Sequence, residues 1–184
     1  MKITYNSPII LTFAIISVIA LILGVFTNDW TTKVFFSTYS SSLLNPLTYV
    51  RCFTHVLGHA NFSHYISNML FFLLLGPILE EKYGSKRILI VIGATALVTA
   101  IINNTLFSTG LLGASGVVFA FIILASMTSF REKEIPLTFI LIIVLYLGRE
   151  IFNGIFSADN ISQSGHLIGG ACGAIAGFIF SPRE

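Results

Sequence analysis

Six apolar segments, a charge content well below that of soluble domains and a one-sided distribution of Lys and Arg predict an all-α, polytopic membrane protein. Of its 184 residues 55% are apolar and 10% charged, and the mean hydropathy is +0.89. Soluble domains carry about 25% charged residues, so a lipid solvent explains this composition better than water does. A net charge of +2 with no basic run excludes a nucleic-acid partner. With no tandem repeat, no low-complexity tract and no long soluble stretch, a single membrane domain over 1–184 is the expected organisation.

A helix needs about 20 residues to cross a bilayer. By that measure the six transmembrane helices are expected at 8–26, 62–79, 86–104, 112–130, 135–152 and 165–181. The first, Pro8 to Phe26, is too long for a signal-peptide core and lacks a small-x-small cleavage site, so it reads as a retained helix. The segment 27–61 is long and rich in aromatics, among them Trp30, Phe35, Phe36, Tyr39 and Phe53, which suits the membrane interface. Within it Asn45-Pro46 predicts a capped helix over 46–55. The links 80–85 and 131–134 are short and charged, 105–111 is short and uncharged, and 153–164 is a longer loop.

Orientation follows from the basic residues. With the amino terminus in the cytoplasm, the inner side collects Lys2, Lys82, Lys86, Arg87, Arg131, Lys133 and Arg183, and the outer side Lys33, Arg51 and Arg149. The second, fourth and sixth spans then all run inward from the outer face. Ser115 near the start of the fourth, His166 at the start of the sixth, and His64 and Asn68 in the first turns of the second all fall within roughly 10 Å of the outer helix ends.

These polar residues carry the chemistry. His64 and Asn68 are four apart and share a helix face, and donors buried at shallow membrane depth are functional candidates by default. Gly169, Gly173 and Gly177 form a small-residue stripe below His166. Gly116 and Ala120 form a matching pair beside Ser115, and packing of the two faces would bring Ser115 to His166. A serine beside an imidazole is a nucleophile beside its base. Asp159 lies in a loop and Glu150 ends the fifth span, so a dyad rather than a Ser-His-Asp triad is expected. The Ser115 amide, the Asn68 carboxamide and the His64 ring are the candidate oxyanion donors. His55 and His59 read equally as polar clamps for the loop. A metal site at His55, His59 and His64 has no completing carboxylate, and only Cys52 nearby. No metal or other cofactor is therefore expected. Cys52 and Cys172 are assigned no function and no mutual disulfide.

Taken together and in this order, the motifs resemble those of the rhomboids, the intramembrane serine proteases, in their bacterial six-helix form. Gly113-Ala114-Ser115-Gly116 resembles the family's G-x-S-G. His59, His64 and Asn68 match H-x-x-x-x-H-x-x-x-N, and His166 with Gly169 and Gly173 matches the sixth-helix motif. Gly76, Glu80 and Gly84 match G-x-x-x-E-x-x-x-G, and Arg51 matches the arginine of the first loop. The resemblance implies a rhomboid-like fold, with Ser115 as nucleophile and His166 as base. It implies an oxyanion hole of His64, Asn68 and the Ser115 amide, and a structural role for Glu80. It also implies single-span membrane proteins as substrates, cut near the outer face in the bacterial inner (plasma) membrane, with the fifth helix and the loop after it as gate and cap. Two positions depart from the pattern. Val50 stands where Trp often precedes the arginine, and Phe119 replaces a tyrosine that stacks on the catalytic histidine. Two other readings stand beside this one: an inactive rhomboid-like protein that binds membrane clients, and a metal or haem membrane protein using the histidine cluster. The natural substrate and the oligomeric state are not encoded in any motif.

Overall fold

The computed structural model of the chain describes residues 3–107, 109–128 and 160–180, together with 135, 137, 138, 140–142, 144 and 145; for 160–162 it describes the backbone alone. The helices are α1 (Pro8–Phe26), α2 (Trp30–Phe35), α3 (Pro46–Thr54) with a 3-10 turn at His55–Leu57, α4 (Phe62–Tyr83), α5 (Ser85–Leu106), α6 (Ser115–Ser126) and α7 (Asn160–Ile179). Among the described residues there is no strand, only an isolated antiparallel bridge between Thr38 and Leu111. The architecture is all-helical, and α1, α4 and α5 are each long and apolar enough to cross a membrane.

The burial pattern is that of a protein in lipid. On α1 the inward face mixes Ser17, Ala20 and Gly24 with Ile10, Phe13 and Leu21, while Ile15, Ile19, Ile22 and Leu23 point outward. In water an outward face would be polar; in a bilayer large apolar side chains are solvated by acyl chains, and small inward ones let helices approach. Three rings join α1, α4 and α6 through the core. Phe13 stacks on Phe72 at 4.5 Å, and Phe72 on Phe121 at 5.2 Å.

Helix boundaries differ from the sequence expectation where local chemistry overrides hydropathy. The first span runs over 8–26 as expected, and α3 ends one residue short of its expected 46–55. The second runs on to Tyr83 rather than 79, through Pro77, and stops at Gly84, whose φ of 86° is open to glycine but strained for other residues. Helix α5 then begins at once, so the 80–85 link shrinks to Gly84. The fourth helix begins at Ser115, not at 112, because Gly113 has φ of 119° and Ala114 is the N-cap. Ser115 is thus the first helical residue rather than a residue one turn in. The sixth begins at Asn160 rather than 165, which moves His166 from the helix start to its second turn. Helix α2, inside the first loop, was not expected. The expected fifth span, 135–152, lies mostly outside the described residues, as do Glu150 and Asp159.

The end of the bundle where α1 begins and α4 finishes is closed by one carboxylate. Ser7, at the N-cap of α1, makes no side-chain cap. Glu80 supplies it from α4 instead: its two oxygens accept the Ile9 and Ile10 N–H groups at 3.1 Å each, and Ser85 Oγ donates at 2.7 Å. Anions are stabilised at a helix N-terminus by the exposed N–H groups and the dipole, which accounts for a carboxylate only 4% exposed. A Cβ on Gly76 would stand 2.7 Å from Ile10 Cδ1, so glycine there lets α1 close onto α4.

Candidate active site

Helices α6 and α7 pack through their small residues. A Cβ built on Gly169 would fall on the Gly116 carbonyl oxygen and lie 2.9 Å from Gly116 Cα, and one on Gly173 would fall on the Ala120 carbonyl. A side chain at either position would force the helices apart. From the other side, a Cβ on Gly116 would stand 3.2 Å from the Gly165 carbonyl oxygen, next to His166. This backbone-to-backbone approach puts Ser115 and His166 on the wall of one cavity of about 310 Å³, shared with His64, Ser67, Asn68, Phe71, Val118, Phe119 and Ile122. The Phe119 ring lies against the His166 ring, centroids 4.3 Å apart and tilted by 40°.

The opposite wall comes from the start of α4. Asn61 caps that helix, its side chain accepting the His64 N–H at 2.8 Å. His64 Nδ1 accepts from the Ala60 N–H at 3.4 Å, so in the neutral ring Nε2 carries the proton. That nitrogen faces the serine loop: a Cβ on Gly113 would stand 2.9 Å from His64 Nε2 and 4.0 Å from Asn68 Nδ2. Glycine at 113 therefore meets two demands, a positive φ and the space taken by the imidazole. Asn68 spends one amide hydrogen on the His64 carbonyl at 3.0 Å and keeps the other. Ser115, as first residue of α6, has an N–H without a carbonyl partner inside its own helix. His64, Asn68 and Ser115, each with an N–H left over from local structure, thus line the same cavity.

The remaining histidines are structural ties. His55 is 1% exposed. Its Nδ1 donates to the Arg51 carbonyl at 3.1 Å, and its Nε2 is 3.3 Å from the Thr99 hydroxyl. Its own carbonyl accepts the Gly113 N–H at 2.9 Å. Burial pushes its pKa down to about 4, against the two backbone hydrogen bonds that raise it. His59 is pushed down to about 4 as well, by burial first and by the neighbouring His64 second. Its Nδ1 donates to the Leu57 carbonyl at 3.2 Å, and its ring meets His64 edge-to-face at 5.1 Å. Arg51 anchors the first loop: Nη1 donates to Tyr39 Oη at 2.7 Å and Nη2 to Ser41 Oγ at 2.8 Å, with the guanidinium 4.3 Å from the Tyr39 ring centre. Val50 next to it is 44% exposed.

Glu80 lies at the far end of α4 and touches none of these groups. Among the described residues no cluster of His, Cys, Asp and Glu could hold a metal ion, and Cys52 and Cys172 are free thiols. Sequence reasoning missed a polar stripe on α5: Thr95, Thr99 and Asn103 are all buried behind the serine helix. The methyls of Thr99 and Thr95 would stand 3.6 and 3.8 Å from a Cβ on Gly116. Their four-residue spacing within an apolar span was the available signal. Thr38 was missed too, because nothing local marks a loop threonine that pairs with residue 111.

A family model described as a rhomboid domain matches residues 46–183. The chain is 23% identical over 134 residues to the rhomboid protease GlpG of Haemophilus influenzae, covering 71% of this chain and 69% of that protein. It is 30% identical over 154 residues to the rhomboid protease GluP of Bacillus subtilis, covering 79% of this chain and 29% of that protein. A third relative, the rhomboid protease GlpG of an Enterobacter species, is 30% identical over 84 residues, which are 46% of this chain and 30% of the relative. The chain thus spans less than a third of the latter two relatives.

Proposed function

The chain belongs to the rhomboid family, and from that premise we propose that it is an intramembrane serine protease working with a Ser115–His166 dyad. The observation that carries this reading is the shared cavity: a serine hydroxyl, an imidazole and three N–H donors line one space. Ser115 Oγ attacks the carbonyl carbon of the scissile peptide while His166 takes its proton. The negative oxygen is received by the Ser115 N–H, the free N–H of Asn68 and Nε2–H of His64, with the positive end of the α6 dipole behind them. His166 then returns the proton to the leaving amine, and a water activated by the same ring hydrolyses the acyl-enzyme. The cavity is roomy enough and polar enough to admit the water that this step needs. Phe119 keeps the His166 ring in place by packing, the task an acid performs in a triad.

The substrates are single-span membrane proteins, cut near the outer face, by a domain of six spans whose amino terminus is cytoplasmic and which sits in a bacterial inner membrane. The positive-inside count and the clustering of the polar groups at one end of α4, α6 and α7 support that orientation. The test is a fluorophosphonate probe with the purified protein, followed by cleavage of a reconstituted single-span substrate. Wild type should be labelled and should cleave, and Ser115→Ala should do neither. Labelling that persists in the alanine variant removes Ser115 from the role.

A further inference from the structure

Resting on that reading, we infer that Thr38 and Asn104 are positioning residues for Ser115: together they strap the first loop to the segment that delivers the nucleophile. Thr38 is fully buried in an otherwise irregular loop, and each of its polar groups is used. Its N–H donates to the Leu111 carbonyl at 2.9 Å, and its carbonyl accepts from the Leu111 N–H at 2.8 Å. Its hydroxyl lies 2.9 Å from Asn104 Nδ2 and 3.1 Å from Asn104 Oδ1, near the outer end of α5.

Leu111 is four residues before Ser115. The segment is tied again at Thr109, whose carbonyl accepts from Asn103 Nδ2 at 3.1 Å, and at Gly113, whose N–H donates to the His55 carbonyl at 2.9 Å. The Gly113 tie sets the loop against the His64 ring, and the Leu111 tie sets where the chain enters that turn. An isolated pair of backbone hydrogen bonds is a marginal unit by itself, and no sheet extends this one. The part-buried hydroxyl–carboxamide contact anchors the bridge to a spanning helix and so limits its motion. A nucleophile has to be held to a fraction of an ångström, and a misplacement of about 1 Å is worth on the order of a hundredfold in rate. Loosening the strap without breaking it should fall short of that.

The experiment uses the full chain in detergent and in proteoliposomes, with Thr38→Val, Thr38→Ser, Asn104→Ala and the Thr38→Val/Asn104→Ala double variant. Valine keeps the shape and the backbone bridge and removes only the hydroxyl. Thr38→Val and Asn104→Ala are each expected to slow fluorophosphonate labelling of Ser115, and kcat for a single-span substrate, about tenfold. KM and the fraction labelled at completion should not change. Thr38→Ser should restore the rate, and the double variant should be no slower than the slower single one, because the Thr38–Asn104 contact is common to both, Asn104→Ala losing in addition only the 3.5 Å contact with Asn103 Nδ2. Wild-type rates per labelled site in both single variants, with only the melting temperature or the labelled fraction lowered, would reduce the pair to scaffolding and overturn the inference. If Thr38→Val does not fold, Asn104→Ala against wild type decides by the same rates. Failure of wild type itself to label at Ser115 is a different outcome: it removes the protease reading, and this inference with it.

Discussion

The two ends of α4 handle buried polar groups in opposite ways. At the C-terminal end Glu80 takes three donors at 2.7–3.1 Å, and the group is consumed by the fold. At the N-terminal end His64 and Asn68, which line a cavity, each spend one hydrogen-bonding site on local structure and have another left over. Both ends bury polarity in a low-dielectric setting, where an unsatisfied group is expensive. One end answers by saturation, and the other leaves hydrogen-bonding sites over, which on the proposed function would receive a charge that exists only during reaction. Glycines serve both, as the means of bringing backbones close at Gly76 and at Gly116–Gly169.

Substitutions at the two ends should separate accordingly. The largest effect belongs to the proposed nucleophile: Ser115→Ala should lower cleavage by at least about 10⁴-fold with the melting temperature unchanged. Intact cleavage would mean that the cavity lined by Ser115 and His166 is not catalytic. Next, Asn68→Ala should lower kcat by about 3–4 kcal/mol of transition-state stabilisation while leaving weak activity, measured as kcat and KM on one substrate. At the other end, Glu80→Ala should lower folding stability by about 3 kcal/mol, since two amides and a hydroxyl lose their acceptor. The rate per folded molecule should stay at the wild-type value, and a lower rate would mean that the two ends are coupled.

Acid should act through the loop histidines. Burial holds His55 and His59 near 4, below their ordinary value of about 6.5, so the unfolded chain takes up these protons first. Their contribution is whole above pH 6.5 and falls as the pH drops toward 4, by about 2 kcal/mol per ring between pH 6.5 and 5. Thermal melts across that range, with His55→Gln as the less pH-sensitive control, measure it. The smallest effect expected is at the ring contact. Phe119→Leu should reduce kcat by the equivalent of about 0.5–1.5 kcal/mol, and Phe119→Tyr should keep the wild-type rate.

Much of the site is legible because its spacing is helical. His64 and Asn68 share a face by periodicity alone, and the stripe Gly169, Gly173, Gly177 points to a partner with small residues, which Gly116 and Ala120 supply. What escaped is non-helical or long-range. That Ser115 opens α6 depends on the Gly113 turn, which hydropathy does not register. Helix α2 is only six residues long, and Thr38 is bound to residues 66 and 73 positions away. The second span was expected to end at 79, yet the helix continues through Pro77 to Tyr83, and Glu80 reaches the start of α1.

The amino-acid sequence by itself determined the solvent, the helical class and the residue types at one depth. Hydropathy, helical period and helix rise are local properties that add up along a chain. Only tertiary packing decided that two glycine faces meet, that the serine loop lies on the His64 ring, and which polar groups are used up and which stay open. Those outcomes depend on distances between segments far apart in sequence, and such distances are set by the whole core at once.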